Sequence, residues 1–469
     1  MKIRFIEPGN PPYKRSFQNL FIYNKYIRTP SNGILLLATI LKQEYEDVYC
    51  YSESISKIRW EDVLDADIIF ISIFTVAANR GYELASYIRE NSNAVIVFGG
   101  LHATLDYSET VKYADYVLLG EGDESILKLV HLLEKKEEIS VPGIVYERNG
   151  ELIKTGEPIV PHEIDTIPDR NLMYRFKKMA GHNTIWAQVH ASRGCPHKCD
   201  YCALAAAFGQ SVRVRSPKAV VEDIRQAIEF FDKGHMRLAK MLWLTDDNFF
   251  ANRKWAMSVL QEIIDSGIRY QFTVQARYEV GFDDEMLEML KKAGFMELAM
   301  GIEFLEDEAF ESYHKKSTYG EILKSVKNIQ KHGLRVRGLF IVGADNHKAG
   351  VGEKLADFVI QNNISGVLIQ SMYFIPGTPV YETHKDVLLR ENDWDRCVGK
   401  VVHKPKNMTP GQLQQEIITA SRKIYSPKRL LQAVLRKRGL ERILFIGEYC
   451  WQAYIRRELK KDIKLLRNM

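Results

Sequence analysis

The chain has 469 residues, of which 46% are apolar and 27% are charged, and this balance excludes fibrous, low-complexity and intrinsically disordered proteins. Its length predicts two or three compact domains. The longest apolar run, residues 68–78, is roughly half as long as a transmembrane helix, so we expect a buried strand there. The charged first residues do not resemble a secretory leader, and we expect a cytoplasmic protein.

The net charge of +5 is unevenly distributed along the chain. From Ser421 onward there are 14 Lys and Arg against 4 Asp and Glu, a balance of +10, which leaves −5 for the rest. A basic tail of this kind can contact phosphates, lipid headgroups or nucleic acid.

Apolar, strand-like runs alternate with amphipathic, helical runs from residue 1 to about residue 140. This rhythm predicts an α/β domain built on a doubly wound, Rossmann-like parallel sheet. Several predicted strands end in polar or glycine-rich loops, namely TVAANRG, GGLHAT and GEGDES. Because ligands of such sheets bind at the carboxyl ends of the strands, these loops are the expected binding edge.

A proline-containing connector is expected over residues 141–180, with a short hairpin around Asn149 and Gly150. A second series of about six strands, each followed by a helical segment, covers residues 181–380. Parallel strands with crossover helices in this number predict a partial (β/α)6 barrel. The alternation then stops, and we expect a mainly helical, basic C-terminal region over residues 381–469.

Three of the six cysteines, Cys195, Cys199 and Cys202, follow directly on the first predicted barrel strand. Three thiolates can hold three irons of a 4Fe-4S cubane and leave the fourth iron open to a substrate. The alternative is a zinc site with His197 as the fourth ligand. The other cysteines, at positions 50, 397 and 450, are scattered, which indicates a metal site in a reducing compartment rather than a disulfide framework.

The segment SRGCPHKCDYC resembles the signature of the radical S-adenosylmethionine (SAM) superfamily. The resemblance implies a partial barrel, an electron donor such as flavodoxin or ferredoxin, and reductive cleavage of SAM to a 5′-deoxyadenosyl radical. In that family the aromatic residue of the motif, here Tyr201, lies near the adenine. Gly301-Ile302-Glu303 resembles the glycine-acid strand motif whose carboxylate meets the SAM ribose, and Gly343 occupies the place of the glycine in the fifth-strand motif.

Further candidate SAM-binding residues lie at the ends of barrel strands. Asp246 and Asp247 close an apolar strand, where they could position SAM or substrate, or could cap the following helix with the help of Asn248. Gln275 and Arg277 lie near the end of the next strand, and an arginine there suits a carboxylate or phosphate. A solvated barrel rim is the alternative for both residues.

The N-terminal segments ISIFTVAANRGYELA, VIVFGGLHAT and YADYVLLGEGDES resemble the cobalamin-binding domain of B12-dependent radical SAM proteins, in particular the hopanoid methylase-like group. The motif D-x-H-x-x-G, which supplies a lower axial histidine in other cobalamin proteins, is absent. The resemblance implies cobalamin contacts in the loops after the strands, namely Thr75, Gly99, Gly100, His102, Gly120 and Gly122. Tight strand-to-helix turns are the alternative reason for the glycines.

Both domains together predict a C-methyltransferase that acts on an unactivated carbon, with 4Fe-4S, SAM and cobalamin as cofactors. One alternative is a radical cyclase or carbon–carbon coupling enzyme that transfers no methyl group. Another is a metal-binding protein without turnover. Basic segments rich in Leu, Ile, Trp and Tyr in the tail indicate a lipid or other small-molecule substrate and peripheral contact with the inner face of a membrane, or else a solvated helical cap. No nucleic acid partner is expected.

Overall fold

The computed structural model describes residues 1–9, 30–179, 186–232, 241–396, 399–437 and 439–466, so Cys397 lies outside the described residues. The chain forms two compact units. The first contains residues 1–197 and 203–247, and the second contains residues 198–202 and 248–469. Within the described ranges, no helix is both long and apolar enough to span a bilayer.

The first unit is organised by a sheet of seven strands. They are β1 Lys2–Glu7, β2 Asp47–Ser52, β3 Ile68–Ser72, β4 Val95–Gly99, β5 Tyr116–Leu118, β6 Ile144–Arg148 and β7 Glu151–Lys154. Their order is β2-β1-β3-β4-β5-β6-β7, and the five strands β1 to β5 run parallel. The predicted doubly wound sheet is therefore confirmed. Strand β2 was not predicted, because its sequence DVYCYS has few aliphatic residues and resembles that of a polar edge strand.

The helices that follow these strands are α1 Asn32–Lys42, α2 Trp60–Val63, α3 Ala78–Asn91, α4 Leu101–Leu105, α5 Tyr107–Thr110 and α6 Ile126–Lys135. Helix α1 begins after Ser31, whose hydroxyl accepts the N–H of Gly33 at 3.2 Å, as an N-cap residue does. Its residues Ile34, Leu35, Ala38 and Leu41 are buried. This 3.6-residue periodicity packs one helix face against the sheet.

Strands β6 and β7 form the predicted hairpin, with Asn149 and Gly150 both in left-handed conformation at φ 57° and 81°. Two central residues with positive φ match the twist of a two-residue hairpin. The hairpin adds two antiparallel strands to β5. This part of the expected connector therefore belongs to the first sheet.

The second sheet contains β8 Trp186–Val189, β11 Met241–Leu244, β12 Gln271–Ala276, β13 Phe295–Glu303, β14 Arg335–Val342 and β15 Gly366–Ser371. The order is β15-β14-β13-β12 within the second unit, and β11 lies beside β8 within the first. Strand β8 pairs in parallel with β11, and β12 to β15 pair in parallel in succession. Each is one of the six strands predicted for a partial barrel. A short antiparallel pair, β9 Ser192–Arg193 and β10 Arg213–Val214, was not predicted.

The remaining helices accompany this sheet and form the C-terminal region. They are α7 Phe176–Met179, α8 Ala203–Phe208, α9 Pro217–Asp232, α10 Arg253–Asp265, α11 Asp284–Lys292, α12 Asp307–Ser312, α13 Tyr319–Lys331, α14 Val351–Gln361, α15 Pro379–His384, α16 Pro410–Ile424, α17 Pro427–Arg436 and α18 Gly439–Leu466. The predicted helical C-terminus is confirmed.

The C-terminal helices are fixed to the second unit by buried charge. Arg396 donates two hydrogen bonds to the carboxylate of Asp462, at 2.8 and 2.6 Å. Arg337 on β14 pairs with Glu448 on α18. A Cβ atom at Gly366 would lie 2.7 Å from the guanidinium of Arg337, so this glycine leaves the space through which the arginine reaches the helix.

Candidate active site

The segment that leads into the first cysteine of the motif is tightly held within the first unit. Gly194 has φ 89°, and a Cβ atom there would overlap the carbonyl oxygen of Ser211. Its N–H donates to Asp247 Oδ2 at 2.8 Å. Only glycine satisfies both the backbone conformation and the close approach. The position of Cys195 is therefore set by the residue before it.

The three cysteines suit the predicted cluster. Cys195, Cys199 and Cys202 form no disulfide and are all partly exposed. The N–H of Cys202 donates to the carbonyl of Cys199 at 3.0 Å, which closes a turn between the second and third cysteine. Partly exposed thiols in a loop that follows a strand can become thiolates and bind metal more readily than thiols buried among apolar side chains.

Asp246, which is buried, and Asp247, which is half-buried, follow β11 and accept hydrogen bonds from the segment before Cys195. Asp246 Oδ1 accepts the N–H of Ala191 and Oδ2 accepts the hydroxyl of Ser192, both at 2.7 Å. Burial raises the pKa of Asp246 to about 7 and also raises the pKa of Asp247. The alternative that these carboxylates cap the next helix is wrong, because α10 begins after Asn252, which accepts the N–H of Trp255 at 3.1 Å.

Glu303 ends β13 in a left-handed conformation, with φ 65°. The pairing of β13 with β14 shifts between Gly301 and Glu303, as at a β-bulge. A Cβ atom at Gly301 would lie 2.6 Å from Glu303 Oε1, so glycine lets the carboxylate fold back over the strand end. A non-glycine residue held at positive φ is strained, and such strain is typical of functional sites.

Lys315 lies beside this carboxylate and was not among the predicted site residues. Its Nζ donates to the carbonyl of Gly301 at 2.6 Å and lies 3.5 Å from Glu303 Oε1. Only 3% of its side chain is exposed. Burial lowers the pKa of Lys315, and Glu303 opposes that effect. Nothing in the sequence distinguishes Lys315 from its exposed neighbour Lys316, which is why the residue was missed.

Tyr201 packs edge-on against two rings of the same unit, Phe304 and Tyr313, with centroids 5.9 and 6.3 Å away. Burial raises the pKa of Tyr201 well above its usual value, and Glu303 and Cys199 add to the effect. The phenol is therefore neutral. Phe304, where the family often has serine, serves as an aromatic wall for Tyr201. Tyr201, Gly301, Glu303 and Lys315 thus lie together in the second unit.

The other predicted SAM residues engage groups of their own chain. Arg277 pairs with Glu279 at 3.0 Å and donates to the carbonyl of Lys316 at 3.2 Å. Gln275 is half-buried on β12 beside Ala299 of β13. The N–H of Gly343 donates to His347 Nδ1 at 3.0 Å, and its carbonyl lies 3.2 Å from His403 Nε2. The polar backbone groups of Gly343 are therefore already used, by two histidines that were not predicted.

The first unit contains a cavity of about 300 Å³ at the carboxyl ends of its parallel strands. Of the predicted cobalamin contacts, Gly100, Gly120 and Gly122 line it. Apolar side chains complete much of the wall, among them Leu37, Phe74, Leu101, Leu204 and Phe208. Bare backbone beside apolar side chains lets a large flat ring approach closely, so this wall suits one face of a corrinoid.

Thr75, Gly99 and His102 are not among the residues that line this cavity. His102 is fully buried, with its ring nitrogens 3.3 Å from Thr75 Oγ1 and 3.1 Å from Tyr82 Oη. The carbonyl of Gly99 accepts the N–H of Ile73 at 3.0 Å. Thr75, Gly99 and His102 therefore stay predicted cobalamin contacts, although His102 already bonds to Thr75 and Tyr82 inside the domain core.

An ion-pair cluster that was not predicted joins the cavity wall to the cysteine segment. Arg193 binds Asp123 through two hydrogen bonds of 2.9 Å. Glu121 pairs with both Arg193 and Arg213. All four side chains line the cavity. Because Arg193 precedes Cys195 by two residues, the loop after β5 and the cysteine segment are held by the same charges.

Comparison with known families agrees with this arrangement. Residues 189–359 match the model of the radical SAM superfamily, and residues 26–130 match that of the B12-binding domain. The first match contains the three cysteines, Tyr201, Glu303 and Lys315. The second contains Gly100, Gly120 and Gly122, which line the cavity. The zinc alternative is therefore not supported, and the chain has the domains that hold a 4Fe-4S cluster, SAM and cobalamin.

Several curated proteins are similar over most of the chain. The bacteriochlorophyllide d C-12(1)-methyltransferase of Chlorobaculum tepidum is 23% identical, over 90% of this chain and 88% of that protein. The hopanoid C-2 methylase of Rhodopseudomonas palustris is 23% identical, over 92% and 81%. An anaerobic magnesium-protoporphyrin IX monomethyl ester cyclase of Cereibacter sphaeroides is 24% identical, over 78% and 60%.

Among solved structures, the radical SAM methyltransferase TsrM of Kitasatospora setae, with cobalamin and a 4Fe-4S cluster bound, superposes with a TM-score of 0.69. The alignment covers 98% of this chain and 100% of TsrM at 14% identity. At that identity the similarity establishes the fold, including a Rossmann-like domain followed by the barrel.

Replacing Gly194 by Ala should disturb Cys195 specifically. Gly194→Ala adds a Cβ atom that overlaps the Ser211 carbonyl, in addition to the strain of about 1–2 kcal/mol that any side chain suffers at positive φ. Gly209→Ala is the matched control, because Gly209 has φ 70° but no atom within 4 Å of the added Cβ. After anaerobic reconstitution, we expect G194A to bind less iron and sulfide than wild type and G209A to match wild type. Equal iron content in both variants would contradict this account.

The buried carboxyl of Asp246 predicts a pH dependence of stability. Its pKa of about 7 in the folded protein exceeds the value of about 4 in the unfolded chain, so the folded state retains a proton that the unfolded chain has lost between those pH values. Stability from this group therefore falls as the pH rises through that window. We expect urea midpoints of wild type to fall relative to those of Asp246→Asn between about pH 4 and pH 7. If the ratio of the wild-type midpoint to the Asp246→Asn midpoint is constant across this window, the pKa of Asp246 is not raised in the folded protein.

Proposed function

We propose that this chain, which belongs to the radical SAM enzymes with a B12-binding domain, is a cobalamin-dependent C-methyltransferase acting on an unactivated carbon. One observation carries the proposal. The glycine-lined cavity of the first unit includes Arg193 and Gly194 in its wall, and these residues lead directly into Cys195. A corrinoid site and a cluster ligand therefore share one segment of chain, as an enzyme that uses both cofactors in one reaction requires.

Cys195, Cys199 and Cys202 would hold the cluster, and the loops after β3, β4 and β5 would hold cobalamin. When bound, the cluster supplies the electron that cleaves SAM, and cobalamin supplies the methyl group. The residues of the chain bind these cofactors and orient them toward the substrate. The apolar wall of the cavity keeps water from the reacting groups, which protects a radical from side reactions.

The cluster of Tyr201, Gly301, Glu303 and Lys315 is proposed as the SAM site. The Glu303 carboxylate would accept hydrogen bonds from the ribose hydroxyls. The Lys315 ammonium, which is buried beside it, would attract the carboxylate of the methionine moiety. The neutral phenol of Tyr201 would flank the adenine. Asp247, Gln275, Arg277 and Gly343 stay as predicted SAM contacts of the strand ends.

Lys315→Met should weaken SAM binding more than Lys316→Met, which is the matched control because Lys316 is exposed. A buried charged hydrogen bond contributes about 1.5–3 kcal/mol, so we expect SAM affinity of the cluster-loaded protein to fall by about 10- to 100-fold in K315M. Equilibrium binding measures this under anaerobic conditions. If K315M and K316M bind SAM equally well, Lys315 only supports the fold. Equal iron content of the two variants shows that any difference in SAM binding is not caused by a missing cluster.

The substrate is proposed to be a lipid or another apolar small molecule, with a one-electron donor such as flavodoxin or ferredoxin as redox partner. The relatives named for hopanoid and bacteriochlorophyllide methylation support a small-molecule substrate. The basic C-terminal helices support peripheral contact with the inner face of a membrane.

Non-methylating cyclisation is the alternative reaction, and the similarity to a cyclase supports it as the second candidate. The two reactions use the same cofactors and differ in the product, because cyclisation removes hydrogen from the substrate while methylation adds a carbon. A metal-binding protein without turnover is the alternative of a different class. It would carry a full cluster and still leave SAM intact.

SAM cleavage tests the radical mechanism directly. The protein is reconstituted with iron, sulfide and hydroxocobalamin without oxygen, and then incubated with SAM and a strong reductant. We expect 5′-deoxyadenosine from wild type and from Cys450→Ala, a thiol of α18 outside the motif, and none from Cys199→Ala. Cobalamin should remain bound through gel filtration.

A full cluster in wild type without any 5′-deoxyadenosine would refute the radical mechanism. Cleavage without retained cobalamin would instead favour the non-methylating reaction.

A further inference from the structure

Helix α17 presents an apolar face to solvent. Leu431 is 59% exposed and Leu435 is 72% exposed, and Val434 and Ile443, at the start of α18, are exposed as well. Residues 431, 434 and 435 are spaced i, i+3 and i+4, so they lie on one face of the helix. The opposite face packs inward through Ala433, which is buried. Amphipathic helices of soluble domains normally bury this kind of face.

The sequence around these apolar side chains is rich in positive charge. The segment 427–443 contains six Lys and Arg, at positions 428, 429, 436, 437, 438 and 442, against Glu441 alone. Lys428 and Arg436 are exposed. Lys437 lies 3.7 Å from Glu441, which is the ion pair that offsets part of the charge. The surface therefore combines exposed aliphatic side chains with an excess of cations.

We infer that this surface, formed by Leu431, Val434, Leu435 and Ile443 with the surrounding Lys and Arg, docks the protein on an anionic lipid bilayer. Aliphatic side chains would enter the acyl boundary while Lys428 and Arg436 meet lipid phosphates, which is how interfacial helices bind. Charge complementarity favours an anionic bilayer over the other possible partners of this surface. A second copy of the chain would bring two cationic surfaces together, and a nucleic acid would leave the leucines without a partner.

This inference deepens the proposed function, because it rests on the proposal of a lipid substrate and states how the enzyme reaches it. A substrate that is dissolved in a bilayer is met at the surface of that bilayer. Docking would then raise the local concentration of substrate without any contribution from the catalytic residues.

Vesicle sedimentation tests the inference with the reconstituted full-length protein. Vesicles of phosphatidylcholine alone are compared with vesicles that also contain phosphatidylglycerol. We expect binding to the anionic vesicles only, weakened by high salt. The double variant Leu431→Ser/Leu435→Ser should lower the partition coefficient by about tenfold or more, since each leucine contributes apolar area to the bilayer.

The matched control is Leu152→Ser/Val160→Ser, which removes two exposed apolar side chains, 47% and 48% accessible, from the first unit. It should bind like wild type. A charge variant, Lys428→Glu/Arg436→Glu, should also lose binding to anionic vesicles. Circular dichroism and iron content confirm that each variant is folded.

Three results would overturn the inference: no vesicle binding by wild type, equal binding to neutral and anionic vesicles, or unchanged binding by the leucine variant. A wild-type dimer that the leucine variant converts to monomer would assign the surface to self-association instead. Formation of 5′-deoxyadenosine is measured on the same samples. Wild type that cleaves SAM but does not bind anionic vesicles refutes this inference alone, whereas wild type that binds them but does not cleave SAM refutes the proposed reaction alone.

Discussion

Two carboxyl groups that follow β11, the buried Asp246 and the half-buried Asp247, fix the segment on which the candidate site depends. Asp246 accepts from the N–H of Ala191 and the hydroxyl of Ser192, and Asp247 accepts from the N–H of Gly194. Removing carboxylates from water is costly, and these donors offset part of the cost. Because the donors belong to the four residues before Cys195, the same interaction that satisfies the carboxylates sets the start of the cluster loop.

A second electrostatic link extends from this segment into the cavity of the first unit. Arg193 is held by Asp123 and Glu121, which follow β5 in the loop whose glycines line the cavity. The parallel sheet explains why this is possible, since the carboxyl ends of its strands deliver their loops to one edge. The residues that precede Cys195 are thus held in place by the geometry of Gly194, by ion pairs and by the topology of the sheet.

The sequence predicted most of the architecture because hydrophobic periodicity and strand-end glycines are local signals. All six barrel strands, the parallel N-terminal sheet and the Asn149-Gly150 hairpin were identified in this way. The three cysteines were predicted as cluster ligands from their spacing, their position after a strand and the resemblance of their motif. Lys315 was not, because its role follows from a fold that buries it beside Glu303, and no local pattern separates it from Lys316. Arg193 and Arg213 were missed for the same reason, because only the fold brings them to their acidic partners. His102 is the opposite case, since its place in a predicted binding loop indicated an accessible residue, whereas the fold buries it in the core.

The central claim is that the two cofactor domains cooperate in methyl transfer to carbon. Its most direct test uses SAM with a trideuterated methyl group and an anaerobic extract of lipids and pigments as substrate, analysed by mass spectrometry. The account predicts a product that has gained one methyl group with all three deuterons. A product that carries no deuterium and has lost hydrogen would contradict it and assign the radical chemistry to cyclisation.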